Sequence, residues 1–296
     1  MSTSALSVRI GLTTRNPLIG FVVGRYFARG QDGLPDYNAI NANIEAVIPW
    51  SRRLWEAGFL VFTPHLNTHH FQEKTRIDPD PLENEEYYRA FDRKLLAKGI
   101  DFIFATPNWR QSSGGRLEVQ LACHLNIPVF ESVEDVITWA EGRTDYSRGV
   151  YDHITDAAKH FGEGKDLKIA LVDGLFWAPP NGGPVDFPLV RSYARNAEAM
   201  AIELFNNKLA AFTPQLNASY ERLGYAVPQD LYQLLCSEFL RRVADCQVLT
   251  PDWQDDPATR ARILVATKLK KPSFDDVQEA LKWRDGYRDY SRIRLG

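Results

Sequence analysis

Between Thr106 and Glu118 the chain reads Thr-Pro-Asn-Trp-Arg-Gln-Ser-Ser-Gly-Gly-Arg-Leu-Glu. A Ser-Ser-Gly-Gly run that leads into a helix offers backbone N–H groups and hydroxyls at the positive end of the helix dipole. That suits a phosphate, a sugar hydroxyl or a carboxylate. Ser112, Ser113 and Gly114 form the candidate cradle, and Glu118 brings a carboxylate to the same cleft. A solvated glutamate favoured by the dipole is the structural alternative for Glu118. His65, His69 and His70 gather imidazoles in one stretch, but no carboxylate or cysteine stands at ligand spacing. A mobile polar loop is expected there, and no metal is assigned.

Such groups need elements to position them. Apolar, β-branched runs over 18–23, 59–62, 101–105 and 127–130 predict strands, and helical spacing predicts helices over 41–57, 85–98, 116–125 and 133–139. Gly58 marks a helix stop. Continuous apolar strands alternating with helices imply an α/β fold with a parallel sheet covered on both faces. In such sheets ligands bind outside the carboxyl ends of the strands. Those ends carry the loops 24–36, 64–83 and 106–115.

The chain contains this pattern twice. Pro107 and Trp109 recur as Pro251 and Trp253, an offset of 144, and the register continues through Pro128 and Pro272 to Asp145-Tyr146-Ser147-Arg148 and Asp289-Tyr290-Ser291-Arg292. Towards the N-terminus the offset is 150, placing Thr63-Pro64-His65-Leu66-Asn67 on Thr213-Pro214-Gln215-Leu216-Asn217. The expected organisation is a first domain over 1–149, a linker over 150–166 containing a short helix at 151–161, and a second copy over 167–296. Each copy is expected to be a flavodoxin-like or Rossmann-like doubly wound unit, the two forming an intramolecular pseudo-dimer.

The order Trp109, Ser112, Gly114, Arg116, Glu118 resembles the nucleoside 2-deoxyribosyltransferase-like superfamily, especially its DUF4406 branch. Gly24-Arg25-Tyr26 after the first strand, Asn43 ahead of Gly58, Pro64 after the second strand and Asp92 on the helix before the third fit the same pattern. The resemblance covers nearly all of 18–139 and, more faintly, the second copy. It implies glycosidic chemistry at a nucleoside or nucleotide: Glu118 attacks the anomeric carbon, Asp92 serves as the acid, and water or a second base completes turnover. That is the division of labour of a retaining glycosidase. It implies no cofactor, and it makes Gly24, Arg25, Tyr26, Asn43, Trp109, Ser112, Ser113 and Gly114 the substrate-binding set.

The repeat is an internal control. Glu118 falls on Arg262, Asp92 on Cys236, Ser112 on Asp256 and Gly114 on Ala258, so the second copy looks dismantled as a site while its packing residues persist. Trp109 is kept as Trp253, which favours packing over base stacking. Tyr26 can stack on a sugar or pack as Phe176 does, and Arg25, matched by Leu175, can bind a phosphate or lie on the surface. Asp101, matched by Asp245, opens its strand at the amino edge and is expected to be structural.

Composition narrows the partners. The 296 residues carry a net charge of −3, with 44% hydrophobic and 25% charged residues, so neither a nucleic-acid polymer nor a membrane is expected. Cys123, Cys236 and Cys246 make no zinc or disulfide pattern, and no secretory leader opens the chain, which points to the cytoplasm. A small nucleoside or nucleotide is the expected partner, with homo-oligomers also open. A non-catalytic nucleotide sensor and a purely structural interaction protein are the alternatives to an enzyme.

Overall fold

The computed structural model describes residues 17–68, 81–149, 167–176 and 187–293. The linker over 150–166 with its expected helix, and His69 and His70, lie outside the described residues. The first copy runs β1 (Ile19–Val23), α1 (Tyr37–Glu56), β2 (Leu60–Phe62), α2 (Pro64–Asn67), α3 (Pro81–Gly99), β3 (Phe102–Ala105), α4 (Ser113–His124), β4 (Val129–Phe130) and α5 (Val133–Ala140). The second runs β5 (Ile169–Asp173), α6 (Phe187–Asn206), β6 (Ala210–Phe212), α7 (Pro214–Asn217), α8 (Tyr220–Leu223), α9 (Gln229–Arg242), β7 (Cys246–Leu249), α10 (Pro257–Lys268), β8 (Ser273–Phe274) and α11 (Val277–Arg284).

Both sheets are parallel, four-stranded and identically ordered, β2-β1-β3-β4 and β6-β5-β7-β8. The fold is therefore α/β, with two tandem Rossmann-like units. The strands are buried throughout, as sheets covered on both faces require. The register repeats in detail: Val23 lies opposite Ala105, as Asp173 lies opposite Leu249. Left-handed residues recur too, at Asn126 and Lys270 (φ 58° and 60°) and at Gly58 and Lys208 (φ 89° and 60°). No helix among the described residues is long and apolar enough to cross a membrane.

Two compact units pack around these sheets. Residues 17–68, 92–149 and 220–227 make the first; 81–91, 167–176, 187–219 and 228–293 make the second. Each unit thus includes a stretch from the other copy. In the first unit, Arg222 at the end of α8 donates to the Leu66 carbonyl at 3.5 Å, and Arg52 lies 5.9 Å from the Tyr225 ring centre. In the second, the rings of Tyr87, Tyr88 and Phe91 surround Phe205 at 5.7, 5.6 and 6.0 Å.

Asp101 and Asp245 hold the amino edges. The Asp101 carboxylate accepts the Ile19 N–H at 2.8 Å while its own N–H donates to the Ile19 carbonyl at 2.9 Å; Asp245 does the same to Ile169 at 2.8 and 2.7 Å. Each aspartate closes the first rung between the central strands. Asp101→Ala and Asp245→Ala are each expected to cost about 1–3 kcal/mol by orphaning a strand N–H. Asp101→Asn, which keeps an acceptor, should cost less; urea denaturation measures all three.

Candidate functional site

The chain leaves β1 for β2 on one side and returns to β3 on the other, so β1 and β3 flank the topological switch point where such sheets bind ligands. The loops after these strands interlock. A Cβ on Gly24 would come 2.7 Å from Val47 Cγ1 and 2.9 Å from Thr106 Oγ1, so only glycine fits. The Thr106 hydroxyl lies 2.9 Å from the Val23 carbonyl and 2.8 Å from Asn108 Oδ1. Asn108 Oδ1 also accepts the Arg25 N–H at 3.3 Å, and the Arg25 guanidinium donates to Gln111 at 3.3 Å.

His65 and Asn43 close the loop from behind. The His65 Nε2 lies 3.1 Å from the Arg25 carbonyl, and its ring meets Tyr26 edge-on at 5.3 Å. Burial lowers the His65 pKa to about 4, against the opposing pull of the Arg25 and Gly24 carbonyls. The ring is therefore neutral near pH 7, and its partner assigns the proton to Nε2. Asn43 donates its Nδ2 to the Tyr26 carbonyl at 3.0 Å. Asn43 thus holds the loop.

Across the crevice, Ser112 caps α4, its Oγ accepting the Gly115 N–H at 3.0 Å. Gly115 is packed against Val23 and the Trp109 carbonyl, both 3.1 Å from where its Cβ would be. Gly114 differs: the nearest atom to a Cβ there is Ser112 Oγ at 3.8 Å, so its lack of a side chain leaves room beside the helix start, where Ser113 is exposed. Trp109 is 5% exposed, donates Nε1 to Glu131 at 3.3 Å and is covered by Arg110 at 4.6 Å. It packs, as its retention in the second copy suggests, and offers no stacking face.

Asp92 and Glu118 come together although 26 positions separate them. Asp92 sits on α3, four residues before the buried Leu96 and one after the buried Phe91. Asp92 is half-buried, and its pKa is raised well above the usual carboxylate range, first by burial and then by the negative charge of Glu118.

The second copy meets the same constraint differently. Arg262, in the place of Glu118, forms a two-pronged pair with Asp173, both bonds 2.6 Å, and bonds Thr259 Oγ1 at 2.8 Å. Gln233 also accepts from it, Asp256 lies 3.5 Å away, and Gln247 donates to Asp173. Burial disfavours the Arg262 charge, and Asp173, through its charge and hydrogen bond, together with Cys236 and Tyr232 more than offsets that. Cys236, in the place of Asp92, has its thiol pushed up to about 12, chiefly by burial. Phe176 stacks on Tyr232 at 4.3 Å, where Tyr26 meets His65 in the first copy. Where the first copy has Val23, Gly115 and Glu118, the second has Asp173, Thr259 and Arg262, whose side chains satisfy one another. Asp256 caps its helix, donated to by Ala258 and Thr259 at 3.1 Å each, so the capping role of Ser112 is common to both copies.

Two points correct the sequence reading. His65 lies on a short helix, 4% exposed, and not in a mobile polar loop. The positioning roles of Thr106 and Asn108 escaped it because they depend on partners 83 positions away. A signal for the Arg262 network was present: Asp173 is a carboxylate ending an otherwise apolar strand.

The chain matches no family model, no curated protein and no solved structure.

Arg262→Ala leaves Asp173 buried without its counter-ion, and a loss of about 3–5 kcal/mol is expected in urea denaturation. Asp173→Val combined with Arg262→Leu should recover most of it. For Asp92 the sign is opposite. Its folded pKa exceeds its unfolded value, so stability falls as pH rises through the interval between them, and the cost persists above it. Asp92→Asn is therefore expected to raise the Tm at pH 7 by about 2–4 °C, a gain that vanishes towards pH 3.

Proposed function

We propose that the first copy cleaves or transfers at the N-glycosidic bond of a nucleoside or nucleotide, with Glu118 as nucleophile and Asp92 as acid. The observation that carries this reading is the pair itself. Burial and the Glu118 charge keep a proton on Asp92, so one carboxyl is poised to donate beside one able to attack. The resemblance to the nucleoside 2-deoxyribosyltransferase-like superfamily supports the same chemistry.

In the first step a Glu118 oxygen bonds to the anomeric carbon as the C–N bond breaks. The bonding pair passes to the base nitrogen, and the departing base takes the Asp92 proton. Water then attacks the same carbon, its proton goes to the Asp92 carboxylate, and Glu118 leaves as a carboxylate. A second base in place of water makes the reaction a transfer, with that base's proton going to Asp92. Arg25 and the amides and hydroxyls at the start of α4, from Ser112 to Gly114, hold the sugar or its phosphate. Tyr26, propped by His65, offers its ring to the sugar or base.

Incubation with a panel of nucleosides and 5′-nucleotides should release free base. Glu118→Gln and Asp92→Asn should each lower the rate by about 100-fold or more. Activity of the wild type should fall only above the ordinary carboxylate range, as Asp92 loses its proton. Binding without turnover for every panel member would replace this reading with a sensor, and absence of binding would remove the ligand altogether.

A further inference from the structure

Helix α3 is gripped one residue before Asp92. Phe205, near the end of α6 and fully buried, is met by the rings of Tyr87 at 5.7 Å, Tyr88 at 5.6 Å and Phe91 at 6.0 Å. Tyr87 and Phe91 meet it edge-on, at 81° and 87°. At about 100° per residue, positions 87, 88 and 91 span an arc of about 100° on one side of the helix. Three side chains packed on one buried ring over such an arc resist rotation of the helix in either sense. Ring pairs hold preferred angles, and a close-packed interior has no space for a displaced ring.

Asp92 follows Phe91 directly, about 100° further round the helix. Helix α3 is continuous from Pro81 to Gly99, so a rotation fixed at 87–91 is passed on to Asp92. The magnitude is large enough to matter. With side chains ending about 5–6 Å from the axis, a turn of about 30° carries the Asp92 carboxyl about 3 Å. The second copy supplies the contrast. Its counterpart of α3 is α9, which has Leu231, Tyr232 and Leu235 at the three gripping positions and Cys236 in the place of Asp92. There Tyr232 stacks on Phe176 instead, at 4.3 Å.

We propose that Phe205 is a positioning residue for Asp92: its grip on Tyr87, Tyr88 and Phe91 sets the rotation of α3 and so the direction in which the acid faces. The inference rests on the acid role given to Asp92 above. The copy that has Cys236 and Arg262 in place of the two carboxyl groups thereby supplies the ring that aims one of them.

Carbon-13 NMR titration of the Asp92 carboxyl and base-release kinetics, both on the full chain, test this together. In Phe205→Ala the Asp92 transition should move down towards the ordinary aspartate range, and adding Glu118→Gln should then shift it less than it does in the wild type. The kcat for base release should fall about tenfold or more, with KM changed by less than about threefold. Phe205→Leu should show the same effects at smaller size, and it carries the test if Phe205→Ala does not fold. Phe274→Leu, whose ring packs on Trp283 and Tyr290 in the second copy, should lower the thermal melt without moving the Asp92 transition. An Asp92 transition unmoved in the Phe205 variants overturns the positioning role, whatever happens to the rate. A transition that moves while the wild type cleaves no nucleoside or nucleotide upholds the positioning and removes the acid role instead.

Discussion

Two carboxyl groups brought together under cover cannot both be charged without cost, and the first copy is arranged around that constraint. Asp92 and Glu118 reach each other from the helices before and after β3, and the burial of the Asp92 carboxyl strengthens their repulsion. The raised pKa of Asp92 eases the conflict by favouring its protonated form. The surrounding structure then determines what can meet the pair. Gly24 lets two loops touch, Asn43, His65 and Asn108 fix the backbone of Arg25 and Tyr26, and Ser112 fixes the start of α4.

The second copy shows the other solution. There the negative charge lies in the strand as Asp173, and the helix pairs it with Arg262. A buried pair of this kind resists reversal one residue at a time, because removing either member strands the other. Restoring a glutamate at 262 alone would set it against Asp173 and Asp256. The Arg262–Asp173 pair is thus built into the packing of the second copy, whose helix cap, αL turns and strand register match those of the first.

Much of the fold was legible in the sequence because strand runs and repeated Pro and Trp positions are local signals. The structural role of Asp101 was legible for the same reason, since an aspartate matched in both copies at a strand's amino edge has a backbone N–H to meet. Helix α1 begins at Tyr37 and not at 41 because Asp36 caps it by accepting the Ala39 N–H, and the exposed residues of its first turn carry no apolar period. Helix α2 spans four residues, too few for any period to register. Within the site, glycines and carboxylates were visible by type, whereas the division between ligand contact and loop support was not. Asn43, His65 and Trp109 are polar or aromatic residues whose partners are backbone carbonyls, a remote glutamate and a neighbouring arginine.

The proposed mechanism turns on a proton held by Asp92, which can be observed without a substrate. Carbon-13 NMR titration of the Asp92 carboxyl, in the wild type and in Glu118→Gln, measures both causes at once. Burial and the Glu118 charge together place the wild-type transition well above the ordinary aspartate range, and Glu118→Gln should lower it part of the way, leaving the portion due to burial. A wild-type Asp92 that titrates like an exposed aspartate, or one that ignores the change at Glu118, would contradict the pairing on which the proposed chemistry rests.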